Sequence, residues 1–286
     1  DPHTERLLES FAFLTSYLKK DINNQFPRVA STLLNTLQPQ LGAPLPPMSI
    51  AELRLDPSKG KSTTGYPLKR DFPLFTRAAK GEVCRFQTCY DMTLWPFEVT
   101  NVVIEQANMY DFANSLTPYP FVMRISLKTD ALPLNKYDVE NLQFYINSDS
   151  VMANMLYEAI FLTDHKVGLV NPNTKEFSLL PEGSIEQVGF GENEHVLPDF
   201  PQALPAYRLL QEFFAFPNKF LFFNVKNISF DKMTKEASIL IPMASYNDSF
   251  AKNIVVTKNT IKLGCTPIIN LFPKITDPID FDRKRI

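Results

Sequence analysis

The sequence predicts an α+β fold: an N-terminal helical hairpin followed by β-rich, sandwich-like modules with two short helices. Three observations carry that expectation. Apolar residues near the start recur at helical spacing, and from Met48 onward they alternate at the period of a strand. Composition favours Phe and Pro over Gly, with 24, 23 and 9 of each in 286 residues. Proline shortens elements and phenylalanine supplies rigid burial area, which suits short strands in a layered β body. A doubly wound nucleotide fold needs more glycine turns than this chain offers.

Asp1 and Pro2 open the first helix, because Asp is a favoured N-cap and Pro at the first position gives up an N–H that has no partner anyway. Leu7, Phe11, Leu14 and Leu18 follow at 4-3-4 spacing and make one apolar stripe, widened by Leu8 and Phe13. Lys19 and Lys20 suit the negative end of the helix dipole. A second helix is expected from Pro27 to Pro39, with Val29, Leu33 and Leu37 aligned, joined to the first by a short polar turn. Such a hairpin needs something to lie against, either its own chain or an intersubunit bundle. Ala43 to Pro47 reads as an extended linker. The expected divisions are therefore 1–47, a helical segment with its linker; 48–147, a β-rich module; and 148–286, a second β-rich module.

Within the first module, Trp95, Phe97 and Val99 alternate with polar positions, as do Phe121, Met123, Ile125 and Leu127, then Leu142, Phe144 and Ile146. Residues 57–65, rich in Ser, Thr, Lys and Gly, read as a surface loop. In the second module Ser148 or Ser150 caps a helix near 150–163, and Pro205 starts a short helix near 205–216 that Pro217 stops. Tyr207, Leu210 and Phe214 are expected on its inward face. Arg208 and Glu212 stand four apart there and are expected to pair, pointing toward solvent or a partner as a registry contact. Trp95, Phe97, Phe214 and Phe220 are read as core aromatics. Lys219 to Val225 reads as a buried strand, with further strands at 237–241, 253–257 and 261–265. A weak echo between Cys89–Pro96 and Cys265–Pro273 fits two related β modules, and also chance.

Charge and motifs exclude more than they assign. The net charge of −2 leaves no electrostatic footprint for nucleic acid or an anionic membrane. Three cysteines, an odd and sparse set, point to a reducing compartment. No apolar run approaches the length that spans a bilayer, and no signal peptide is expected. Cys84 and Cys89 are too far apart for a zinc knuckle and read as small buried hydrophobes. Asp164 and His165 read as a helix end, and Glu192, Glu194 and His195 as an exposed turn. Asp91 and Glu98 lie on opposite faces and make no carboxylate pair. No P-loop, GxGxxG, GxSxG or HExxH is present. Catalytic residues, metal ligands and cofactors are therefore expected to be none. A β-sandwich ligand-binding module, for instance carbohydrate-binding, is the alternative reading, marked by exposed aromatics on a concave face. An unrecognised hydrolase would show convergent titratable groups in a pocket.

Three blocks carry a family resemblance. Asp1 to Leu14 (DPHTERLLESFAFL), continuing through Asp21 to Pro27, resembles the opening helices of the TssF family of type VI secretion baseplate subunits. Cys84 to Val99 (CRFQTCYDMTLWPFEV) resembles its central strand block, and Tyr207 to Phe223 (YRLLQEFFAFPNKFLFF) with Asn270 to Pro273 the third. The order is preserved over nearly the whole chain. The resemblance implies a non-enzymatic wedge subunit in which two TssF copies join one TssG. It further implies wedges around the VgrG spike, with TssK and TssE attached, that nucleate a contractile sheath. It implies a cytoplasmic protein docked at the inner membrane only through the assembled machine, and a segment with further chain before and after it. Wedge proteins of contractile phage tails are similar. The expected partner-binding residues are Leu7, Phe11, Leu14, Leu18, Arg208 and Glu212.

Overall fold

A computed structural model describes residues 1–56, 63–77, 81–110, 119–162, 166–201, 203–243 and 254–276. The chain divides into two compact units, one formed by Asp1–Leu45 with Leu197–Gln211, the other by Pro46–Val196 with Glu212–Ile286.

The first unit is built on α1 (Pro2–Leu37), a single helix of 36 residues, about 54 Å long at 1.5 Å per residue. Asp1 caps it, its carboxylate accepting from the His3 N–H at 3.0 Å. The expected hairpin is thus corrected: the helix runs through Pro27. Proline inside a helix removes one bond, here the one that would reach the carbonyl of Asn23. Asn23 is exposed, so water can donate to that carbonyl in place of the missing N–H. The hydroxyls of Ser10, Thr15, Thr32 and Thr36 each donate to the carbonyl four residues back, at 2.8 Å. The Gln38 N–H closes the last turn on the Leu34 carbonyl, and the short α2 (Pro39–Gly42) follows.

The second unit is β-rich. Its strands are β1 (Met48–Glu52), β2 (Tyr66–Leu68), β3 (Pro73–Arg77), β4 (Val83–Thr88), β5 (Met92–Leu94), β6 (Glu98–Gln106), β7 (Phe121–Lys128) and β8 (Asn141–Ile146). After α3 (Ser150–Phe161) come β9 (Gly168–Val170), β10 (Phe177–Leu179), β11 (Ile185–Val188), β12 (Phe222–Lys226), β13 (Glu236–Met243), β14 (Ile261–Leu263) and β15 (Cys265–Ile269). They form antiparallel sheets in the orders β1-β15-β4-β3, β10-β9-β13-β7-β6, β11-β12-β8-β14 and β2-β5. Strands from before and after residue 147 share sheets: β13 lies beside β7 in an eight-residue register, and β12 beside β8. The alternation of β7 sends Met123, Ile125 and Leu127 into the core, where Ile239 and Ile241 of β13 also lie. Phe144 and Phe223 are register partners whose rings stack at 5.3 Å. α3 packs on β8 and β13 through Ala153, Leu156, Ala159 and Ile160.

Several sequence expectations shift by a few residues, each for a local reason. Asp149 caps α3, accepting from the Val151 and Met152 N–H groups, in place of either serine. Pro96 interrupts the ladder, so Trp95 and Phe97 sit between β5 and β6 as a stacked pair at 5.7 Å. Lys219 and Phe220 belong to a 3-10 turn, and the strand begins at Phe222. Residues 254–257 form no strand. The expected strand 261–265 is two strands in two sheets, divided at Gly264. Its φ of +67° and a Cβ that would meet the Leu53 carbonyl oxygen at 2.3 Å leave room for glycine alone. Asp164, His165 and the loop 57–62 lie outside the described residues.

Candidate partner interface

Burial normally claims the apolar face of a helix. On α1 it does not. Leu7, Phe11, Leu14 and Leu18 are 58–71% exposed, and Leu8, Phe13, Tyr17, Ile22, Val29, Leu33 and Leu37 are exposed with them. The stripe expected from the 4-3-4 spacing is continuous, and its side chains meet no core within the first unit. α1 touches the short α2, but among the described residues nothing covers its stripe. It presents instead a long apolar face of the kind seen at protein–protein contacts.

The short helix α4 (Pro205–Ala215) reverses the sequence expectation. Tyr207, Leu210 and Phe214, read as inward, are exposed, Phe214 at 78%, and so are Leu204 and Phe213. Glu212, read as solvent-facing, is 1% exposed. It does not pair with Arg208. Arg208 instead binds Asp199, Nη1 to Oδ1 at 2.6 Å. The Glu212 carboxylate accepts from the Val196 N–H at 2.7 Å and forms an ion pair with Lys219, itself 1% exposed. Lys219 Nζ donates further to the Glu194 carbonyl at 3.0 Å and lies over the Phe220 ring at 4.7 Å. A buried pair tolerates removal from water only when its remaining donors and acceptors are satisfied, as here. Of the aromatics read as core, Phe97 and Phe220 are buried and Trp95 is half-buried.

A polar loop braces the same region. Glu194, expected in an exposed turn, accepts from the N–H groups of Gly189 and Gly191 at 2.7 and 2.9 Å. Gly189 has a φ of +108°, and a Cβ there would sit 2.7 Å from the Lys219 carbonyl oxygen. Arg70 Nη1 donates to the carbonyls of Cys89, Asn193 and His195, while Nη2 lies 3.0 Å from His195 Nδ1. A guanidinium only donates, so Nδ1 accepts. Arg70 also ties down Asp91 through its backbone N–H at 2.7 Å, which with Lys69 holds that carboxyl below its ordinary range. These groups are consumed by structure. Cys89 and Cys265 are buried and pushed up to about 12, chiefly by burial, so neither carries a reactive thiolate. Among the described residues no three His, Cys, Asp or Glu side chains converge as a metal set.

A groove of about 390 Å³ runs past Trp95, Glu98, Lys128, Asp130, Lys258 and the Glu52–Lys262 pair. Its charges largely neutralise one another: Glu52 takes both Arg54 at 2.6 Å and Lys262 at 2.7 Å, and Lys128 takes Asp130 at 3.2 Å. Among the described residues it offers no row of exposed aromatics of the kind a sugar-binding face would use.

Comparison with known proteins bears on these faces. The family model described as Type VI secretion system, TssF, matches residues 1–286. The type VI secretion system component TssF1 of Pseudomonas aeruginosa is 30% identical over 98% of this chain and 46% of its own length. A chain of the TssK-TssF-TssG baseplate subcomplex solved by cryo-electron microscopy has the same fold. It matches with a TM-score of 0.73 at 22% identity, over 96% of this chain and 51% of that one. The chain thus spans about half the length of the relatives it matches.

Proposed function

The chain belongs to the type VI secretion system TssF family, and from that premise we propose that it is a structural part of the secretion baseplate, without catalysis of its own. One observation carries the reading: the bare apolar face of α1, which has the length and continuity to enter a helical bundle with another subunit. TssG is the partner assigned to Leu7, Phe11, Leu14 and Leu18, with TssK nearby. The relative solved together with TssK and TssG supports both. A second TssF copy, TssE and the VgrG spike complete the assembly in this reading, around which the contractile sheath is nucleated. No helix among the described residues is long and apolar enough to cross a membrane. We place the subunit in the bacterial cytoplasm, held at the inner membrane through the assembled machine. Arg208, beside the exposed face of α4, serves as a polar registry contact, and the buried Glu212 ties the last turn of that helix to Lys219 rather than touching a partner.

The test is co-purification of the full-length protein with TssG. Replacing Leu7, Phe11, Leu14 and Leu18 by Asp is expected to abolish it while the β-sheet circular dichroism stays unchanged. Undiminished TssG binding by that variant would refute the assignment of the stripe.

A further inference from the structure

The sheet β1-β15-β4-β3 has one side turned to the core, where Cys265, Pro267 and Ile269 of β15 are buried. The register carries that side outward. Ile269 opposes Gln87 on β4, Gln87 opposes Pro73 on β3, and by alternation Arg85, Val83, Phe75 and Arg77 continue on the same side. There the side is largely bare: Phe75 is 66% and Val83 59% exposed. The core-facing side of the sheet runs past its own core.

What decorates this overhang is specific. Phe75 stands opposite Arg85, and Arg77 opposite Val83, so aromatic, aliphatic and two cations form a checkerboard. The Arg85 guanidinium lies 5.4 Å from the centre of the Phe272 ring, which fixes its direction. The Asn270 side chain donates to the Arg85 carbonyl at 2.8 Å and secures the strand below. Among the described residues no carboxylate pairs with Arg77 or Arg85. This happens in a chain whose net charge is −2, so the cations are a local feature and not a general surplus. β3 is also the last strand of its sheet, with its outer backbone edge unpaired among the described residues.

We propose that this overhang is a docking surface for an extended segment of another protein subunit, one carrying apolar side chains flanked by Asp or Glu. The unpaired edge of β3 supplies main-chain hydrogen bonds, as in strand addition. Phe75 and Val83 bury the apolar side chains of the incoming segment. Arg77 and Arg85 take its carboxylates, and their complementarity selects the partner and its register. This surface belongs to the second unit and the α1 stripe to the first, so failure of α1 to bind TssG would leave it standing.

The experiment places a photo-crosslinking benzoylphenylalanine at Phe75 of the full-length protein in cells and maps the adduct by mass spectrometry. The expected adduct is a peptide of another protein subunit with at least two acidic residues beside apolar ones. Arg77→Glu with Arg85→Glu is expected to lower the yield at least about tenfold with an unchanged melting temperature. The milder Arg77→Gln is the second variant should the pair fail to fold, and its yield is expected to fall as well. Reversing the acidic residues of the captured peptide restores the yield with the Glu variants. Adducts only to this chain's own residues or to nucleic acid, no adduct, or a yield indifferent to the arginines would overturn the proposal.

Discussion

Glu212 and Lys219 stand seven positions apart and meet as an ion pair with 1% of each side chain exposed. The pair joins the last turn of α4 to the 3-10 turn that leads into β12. Lys219→Met leaves an unpaired carboxylate in the interior and is expected to cost about 3–5 kcal/mol. The double change Glu212→Leu with Lys219→Met is expected to cost far less than the two single changes added together. Urea unfolding of the three variants measures this. Additive losses would mean that the two groups are not coupled.

Arg208 gives the contrasting case. Its partner Asp199 is 68% exposed, but the Arg208 side chain is only 11% exposed, so the pair lies between a surface bridge and a buried one. Arg208→Ala is therefore expected to cost about 1–3 kcal/mol, less than Lys219→Met, and to weaken assembly with the baseplate subunits. A large drop in melting temperature with binding intact would make Arg208 a fastening for its own helix.

α1 is expected to contribute little to the stability of the β body, because its apolar face stays exposed. A chain truncated to begin at Met48 is expected to keep its β-sheet spectrum and a cooperative melt, and to lose TssG in pull-down. Global unfolding of the truncated chain would show that α1 belongs to the core.

The Glu105–Arg124 contact has a pH signature. Burial raises the Glu105 carboxyl, but Arg124, at 2.6 Å, and the Tyr110 hydroxyl more than offset this and hold it below its ordinary 4.5. A folded-state value below the unfolded one gives stability that is full above about pH 4.5 and disappears as pH falls through the folded value. Arg124→Met is expected to cost about 1–3 kcal/mol at neutral pH and to flatten this acid limb. Urea midpoints of both proteins between about pH 3 and pH 7 test it. Parallel curves would remove Glu105 as the source.

Where a signal is periodic, the sequence is a good guide. The 4-3-4 spacing of Leu7, Phe11, Leu14 and Leu18 marks the α1 stripe, and alternation marks β7 and β8 and the core residues they carry. Pro27 misleads because proline is equally suited to the first turn of a new helix and to an exposed interior position whose lost bond water replaces. The Glu212–Lys219 pair has no periodic signature: the i,i+4 rule points to Arg208, while the true partner sits in the 3-10 turn that follows the helix. The inversion of α4 escapes for a deeper reason. Apolar faces are read as inward because chains usually fold alone, and Tyr207, Leu210 and Phe214 face outward here.

The pairing of β1 with β15 also sets a clock. Glu52 lies opposite Cys265 and Met48 opposite Ile269, so β1 is synthesised more than two hundred residues before the strand that completes it. At ~5–20 residues per second the ribosome leaves β1 waiting about 10–40 seconds. The ladders of β7 with β13 and of β8 with β12 can close within that interval, since all four strands precede β14. The sheet that bears the β3 overhang is thus the last to be finished, and a nascent chain stalled before Cys265 keeps both edges of β1 open.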